Sequence, residues 1–233
     1  MLKMLDLFSG IGGFSLAASW TGAIETIAFC EIEPFCQKVL KKHWPDVPIF
    51  PDITKLRGDE VGTVDIVCGG FPCQPWSIAG EQLGECDTRN LWPATFEIIS
   101  KAKPRWFVGE NVPGLSDEYL DEIYTNLESE GFTVWPIEIP AVIVGSPHFR
   151  NRLWIVAHAN GEGLEGIHNE GRGINLQPVK KTVSRYIGNP TPRIYRRSDG
   201  IPNKMDRLKS LGNSIVPAVA FQLLNGIAEI ERG

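Results

Sequence analysis

The chain has 233 residues, 42% of them hydrophobic and 22% charged, and a formal net charge of −5. That length supports one sizeable core with a small appended lobe, and with no run of eighteen apolar residues and no signal-peptide pattern over residues 1–6 it reads as an intracellular, cytoplasmic protein. Five cysteines with no Cys-x-x-Cys pair and no histidine at zinc-ligand spacing argue against a disulfide framework and a structural zinc site and fit reduced thiols better.

Residues 3–8 predict a short strand, followed by Ser9-Gly10-Ile11-Gly12-Gly13 and a helical stretch over 14–20. Glycines between a strand and a helix let the backbone approach a ligand closely, and the helix start offers free N–H groups. The spacing is not the G-x-G-x-x-G dinucleotide fingerprint, and such a turn also serves packing. A strand over 23–29 ends at Cys30-Glu31, which sets a carboxylate where nucleotide-type sites hold ribose hydroxyls. The alternative for Glu31 is an exposed acid before the helix that Pro34 opens and that runs to Lys42. Ile49-Phe50-Pro51-Asp52-Ile53 closes a third unit, in which Asp52 either receives the exocyclic amine of a base or caps the following turn.

Residues 65–68 predict a central strand that breaks at Gly69-Gly70 and delivers Cys73, bracketed by Pro72 and Pro75, into a stiff turn. Ligands gather outside the carboxyl ends of strands in open α/β sheets, so Cys73 is a candidate nucleophile; the alternative is a small buried hydrophobe. Residues 78–87 read as a polar, glycine-punctuated loop, and Thr88-Arg89-Asn90-Leu91-Trp92-Pro93 opens a helix to about 102. A buried strand over 105–109 carries Glu110-Asn111 at its carboxyl end. If it neighbours the strand leading to Cys73, thiol and carboxyl share one cleft; otherwise Glu110-Asn111 is a turn and cap.

A helix over 117–131 places Leu120, Ile123, Tyr124 and Leu127 at core-facing spacing. Strands over 133–144 and 153–157 follow, joined by a segment with Arg150 and Arg152 on one face of extended chain, suited to a carbonyl, a phosphate or a structural acid. Regular periodicity disappears from 159 to about 202. Residues 172–209 hold ten Lys or Arg against two acids, so +8 there leaves −13 elsewhere. That stretch is either a phosphate-contacting surface or a solvated basic loop. Order returns at Lys204, and an apolar helix runs to Ile230.

The ordered set of motifs resembles the cytosine-C5 DNA methyltransferase family over nearly all of the chain outside 159–202. Asp6-Leu7-Phe8-Ser9-Gly10-Ile11-Gly12-Gly13 is similar to its first motif, Phe71-Pro72-Cys73-Gln74 to its nucleophile motif and Glu110-Asn111-Val112 to its Glu-Asn-Val motif. Arg150-x-Arg152 is similar to its paired arginines and Gly212-Asn213-Ser214 to its closing cofactor motif. The resemblance implies an α/β fold: a Rossmann-like class I methyltransferase core with a mixed, mostly parallel sheet over 1–158, a small irregular target-recognition insert over 159–202, and a C-terminal segment, 203–233, returning to the core.

It implies S-adenosylmethionine as cofactor, held by Phe8, Gly10, Gly12, Gly13, Glu31, Ile32, Asp52, Ile53, Pro72, Leu91, Asn213 and Ser214. Cys73, Glu110, Arg152 and Arg150 would be catalytic. Gln74, Ser77, Arg185, Arg193, Arg196, Arg197 and Arg207 would contact double-stranded DNA, with no metal in the site. The implied protein is a monomer, with a cognate restriction endonuclease as system partner. His148, Ile32 and Asn90 depart from the family pattern at places usually held by glutamine, an aromatic and glycine. Alternatives are a tRNA cytosine-C5 methyltransferase, a non-catalytic DNA-binding member of the fold, and a cysteine-dependent enzyme acting on free nucleotides.

Overall fold

The computed structural model describes residues 1–72, 90–159 and 204–233. They form seven strands in one sheet: β1 (Leu2–Leu7), β2 (Ile24–Cys30), β3 (Ile49–Phe50), β4 (Ile66–Gly69), β5 (Trp106–Asn111), β6 (Thr133–Pro140) and β7 (Asn151–His158). The helices are α1 (Gly13–Thr21), α2 (Pro34–His43), α3 (Trp92–Ala102), α4 (Asp117–Ser129), α5 (Lys204–Asn213) and α6 (Pro217–Ile230). The strand order is β3-β2-β1-β4-β5-β7-β6. The pairs from β3 through β5 are parallel, whereas β7 runs antiparallel to both β5 and β6.

Buried strands alternate their side chains between two faces, and this sheet buries both. Met4, Ile66, Cys68, Trp106, Val108, Trp154 and Val156 face α1 and α6. Leu5, Leu7, Val67, Phe107 and Ile155 face α3 and α4. Full burial of such a side chain contributes roughly 1.5–3 kcal/mol, so the two layers hold the sheet from either side. From β1 the chain turns one way to β2 and later returns on the other side as β4. The carboxyl ends of β1 and β4 therefore flank a topological switch point, where open α/β sheets bind ligands.

The structure moves one expected boundary by more than a residue or two at an element's end. The predicted strand over 133–144 stops at Pro140, and Ala141–Val144 form a 3-10 turn. Gly145, at φ 82, closes that turn, and the Ala141 N–H donates to the Phe149 and Arg150 carbonyls 3.1 Å away. The apolar run thus folds back toward the start of β7 instead of lengthening β6. Of the predicted α4 stripe Ile123 and Leu127 are fully buried, while Leu120 and Tyr124 are half-buried at its edge; Tyr119, outside the prediction, is the third fully buried residue of the helix.

Residues 210–230 are apolar enough to meet a length-and-composition test for a membrane-crossing helix. The stretch is interrupted between Asn213 and Pro217, and α6 buries Ala218, Val219, Ala220, Phe221, Leu223, Leu224, Ile227 and Ala228 against the sheet and α1. Its apolar character is that of a core helix.

Candidate active site

The glycine turn leaves β1 by an abrupt change of backbone direction. Phe8 has φ 51, a left-handed conformation rare outside glycine, and Gly10 and Gly12 follow at φ 54 and 86. A Cβ on Gly12 would lie 2.6 Å from the Trp44 ring, and one on Gly13 would lie 2.6 Å from Ile215 Cγ1. The glycines therefore let α2 and the segment before α6 close directly onto the turn. The N-cap residue, Gly12, has no side chain to cap α1, and in the first turn the Ser15 N–H is taken by the Asp6 carboxyl beneath it.

Glu31, buried at the end of β2, accepts from the Gly10 N–H at 2.6 Å and the Glu33 N–H at 2.7 Å. One carboxylate thus ties the turn to the next strand, and each of its oxygens keeps a lone pair for a ligand hydroxyl. Beneath the turn lies a carboxylate that sequence reading placed only within a motif. Asp6 is fully buried, accepts from the Ser15 hydroxyl at 2.6 Å, and has Oδ1 without a hydrogen-bond partner. Ser15 in turn accepts from Thr26 at 2.9 Å. Burial pushes the Asp6 carboxyl up to about 7, against the opposing pull of Ser15. Its signal in the sequence was a charged residue among apolar neighbours on a central strand.

On the other side of the switch point, β4 and β5 are in register from Ile66↔Trp106 to Gly69↔Gly109. Glu110 therefore follows the register directly opposite Gly70, and a Cβ on Gly70 would approach Glu110 Oε2 to 3.2 Å. Glu110 is 8% exposed and pairs with Arg152 Nε at 3.0 Å. Burial raises its carboxyl above the usual carboxylate range, while the Arg152 and Arg150 guanidinium groups pull the other way. Asn111 donates to the Phe71 carbonyl at 3.1 Å, fixing the chain just before Pro72.

Arg150 and Arg152 diverge. Arg152 turns to Glu110, whereas Arg150 donates to the carbonyls of Gly212 at 3.0 Å and Ser214 at 2.8 Å. Desolvation and the like charge of Arg152 lower the Arg150 pKa.

The remaining expected residues gather unevenly. Ile53 is buried and Pro72, Leu91 and Ser214 are half-buried; Asn213 ends α5 exposed, and Ile32 is 71% exposed at the start of the segment before α2. Asp52 caps its turn, accepting from the Thr54 N–H and hydroxyl and pairing with Lys55, so its side chain carries out the local role that the sequence left open. Asn90, which departs from the family glycine, has a local role: its Oδ1 accepts from the Trp92 N–H at 3.2 Å and the Tyr119 hydroxyl at 3.1 Å, joining the start of α3 to α4. Arg207 falls within α5. Cys73, Gln74, Ser77, Arg185, Arg193, Arg196 and Arg197 lie outside the described residues. Of the cysteines within them, Cys30, Cys36 and Cys68 are buried; burial pushes the Cys30 thiol up to about 12 and holds that of Cys68 well above its usual value.

A family model described as C-5 cytosine-specific DNA methylase matches residues 2–210. The chain is 31% identical over 230 residues to the Type II methyltransferase M.SsoII of Shigella sonnei, covering 96% of the chain and 59% of that protein. It is 34% identical over 227 residues to the Type II methyltransferase M.NgoBV of Neisseria gonorrhoeae, covering 84% of the chain and 53% of that protein. The chain spans about half the length of the curated relatives it matches. The solved structure of the S. pombe Dnmt2 methyltransferase superposes with a TM-score of 0.69 over 98% of the chain and 99% of that structure, at 16% identity, a likeness of fold.

Proposed function

Because the chain belongs to the C-5 cytosine-specific DNA methylase family, we propose that it transfers a methyl group from S-adenosylmethionine to C5 of a cytosine flipped out of duplex DNA. The observation that carries this reading is the buried Glu110–Arg152 pair, 3.0 Å apart: Glu110 lies on β5, the strand beside the one that leads into Cys73, and Arg152 on β7, on the other side of β5. A carboxyl and a guanidinium side by side suit the N3 and O2 edge of cytosine.

Cytosine C5 is a poor nucleophile until C6 is attacked. In this reading the Cys73 thiolate adds to C6, and the displaced π electrons make C5 an enamine carbon. The charge that moves onto N3 and O2 is met by Glu110 and Arg152, respectively. Burial favours the proton-bearing form of Glu110, which donates to N3 once the base has replaced the guanidinium beside it. After methylation a base, water in this reading, removes the C5 proton; the electron pair returns to the ring and the thiolate leaves. Because C6 is shielded in a stacked duplex, the cytosine has to leave the helix.

The glycine turn and the Glu31 carboxylate fit S-adenosylmethionine, since Gly10 leaves open space beside the backbone and Glu31 offers a hydroxyl acceptor. Bound there, it supplies an electrophilic methyl group. Phe8, Gly10, Gly12 and Gly13 would hold its methionine part, Glu31 its ribose, and Asp52 and Ile53 with Ile32 its adenine. Pro72, Leu91, Asn213 and Ser214 would complete the wall. In this reading residues 159–202 form the recognition insert; Gln74 and Ser77, with Arg185, Arg193, Arg196, Arg197 and Arg207, contact the duplex. The enzyme acts as a monomer beside a cognate restriction endonuclease.

The test combines substrate choice with covalent trapping. Labelled methyl groups are expected on duplex DNA, and a stable adduct is expected on 5-fluorocytosine DNA with wild type but not with Cys73→Ala. Label only on tRNA would overturn the substrate, and equal trapping by Cys73→Ala would overturn the nucleophile.

A further inference from the structure

Two arginines two residues apart on extended chain start from the same face, yet the groups they reach differ in kind. Arg152 meets a carboxylate; Arg150 meets only backbone. Its two terminal nitrogens each donate to a separate carbonyl, Gly212 O at 3.0 Å and Ser214 O at 2.8 Å, across 62 and 64 residues of sequence. Gly212 lies in the last turn of α5, where unpaired carbonyls carry partial negative charge and attract a cation. The planar fork of a guanidinium matches two acceptors at once, which an ammonium does not.

The clamped segment has a second contact, on the opposite side of the switch point. Ile215 Cγ1 occupies the place where a Cβ on Gly13 would come within 2.6 Å, and Ser214 Oγ lies 3.5 Å from that same point. Arg150 therefore grips a strip of chain whose other side rests on the glycine turn. Arg150 directs its two terminal nitrogens to these carbonyls and leaves the close ion pair with Glu110 to Arg152.

We propose that Arg150 is a positioning residue for the cofactor pocket: its guanidinium clamps the Gly212–Ser214 segment onto the glycine turn, so its loss weakens cofactor binding before it affects nucleic-acid binding. The proposal rests on the methyltransferase reading of the same site. It differs from a contact to the flipped base or to DNA phosphate, for which the nucleic-acid affinity and its salt dependence would change first.

The experiment measures equilibrium binding of S-adenosylmethionine to the full chain without DNA, and KM for each substrate, for wild type, Arg150→Met, Arg150→Lys and Ile215→Ala. Loss of two charge-assisted hydrogen bonds is expected to weaken cofactor binding on the order of 10- to 100-fold in Arg150→Met. Arg150→Lys, which keeps the stem and charge, is expected to recover less than half of that loss on a logarithmic scale, and Ile215→Ala to weaken cofactor binding in the same direction. KM for DNA is expected to stay within about threefold of wild type, because only backbone carbonyls lose a partner. Thermal melts of each variant confirm that the binding data refer to folded protein, and Arg150→Lys provides the comparison if the methionine variant is unfolded. Cofactor binding unchanged in both Arg150 variants, or a rise in KM for DNA alone, overturns the clamp. Wild type that binds no S-adenosylmethionine overturns the methyltransferase reading and the clamp with it.

Discussion

At the level of single residues, Asp6 is the group whose environment differs most from what its neighbours in sequence suggest. Strand alternation gives the face on which it lies, but not that α1 presents Ser15 at 2.6 Å or that Oδ1 has no partner. Unfolded, the carboxyl ionises above its ordinary value of 3.8; folded, it keeps its proton up to about 7. The folded state then binds more protons between those values, so this group's contribution to stability is fully present below 3.8 and is lost as pH rises through about 7. Asp6→Asn keeps an acceptor for Ser15 and cannot ionise. Its stability relative to wild type is expected to rise between pH 5 and pH 8 by on the order of 1–3 kcal/mol, read from urea unfolding at each pH. A difference between the two proteins that does not vary with pH would show that Asp6 does not titrate in this range. Glu31, Glu110 and Arg152 were legible in the sequence because each sits at a strand end marked by local pattern. The partners of Arg150 were not, since they lie more than sixty residues away and depend on where α5 stops.

At the level of elements, α1 to α4, α6 and the central strands were legible from apolar spacing and from Pro34 and Pro93, while α5 as a helix of its own, the break before Pro217 and ends governed by backbone closure were not. The 3-10 turn Ala141–Val144 is as apolar as the strand before it, and only its hydrogen bonds to Phe149 and Arg150 distinguish it. Sequence also left open that β7 inserts between β5 and β6, because the apolar pattern of a strand does not encode which neighbours it pairs with. The end of α3 offers a clean test of backbone strain. Lys103 caps that helix at φ 46, exposed, with its N–H on the Ile99 carbonyl at 2.9 Å. Glycine adopts this conformation without the Cβ penalty, so Lys103→Gly is expected to raise stability by about 0.5–1 kcal/mol, with turnover unchanged. Thermal unfolding gives the sign directly, and a lowered melting temperature would show that the lysine stem contributes more than its backbone costs.

At the level of the whole molecule, the last helix is fastened to the middle of the sheet. The Trp106 indole N–H, wholly buried, donates to Glu231 Oε1 at 2.8 Å; Glu231 also pairs with Arg105, and His158 stacks on Trp106 with ring centres 4.1 Å apart. Glu231→Ala leaves a buried indole donor and an arginine without their acceptor, and is expected to cost about 2–3 kcal/mol in urea unfolding, whereas Glu231→Gln keeps an acceptor and is expected to cost less than half as much. Equal losses in the two variants would point to packing and not to the hydrogen bond. This fastening and the burial of α6 against α1 also bear on synthesis. During synthesis α1 finds this packing partner only after residue 217 and beyond have followed it, so β1, α1 and the glycine turn wait with one apolar face uncovered. A nascent chain halted before α5 and α6 lacks both the helix that covers α1 and the strip that Arg150 holds in place. A chain that stops short of α6 leaves that apolar face uncovered, and surfaces of that kind are what chaperones and proteases act on.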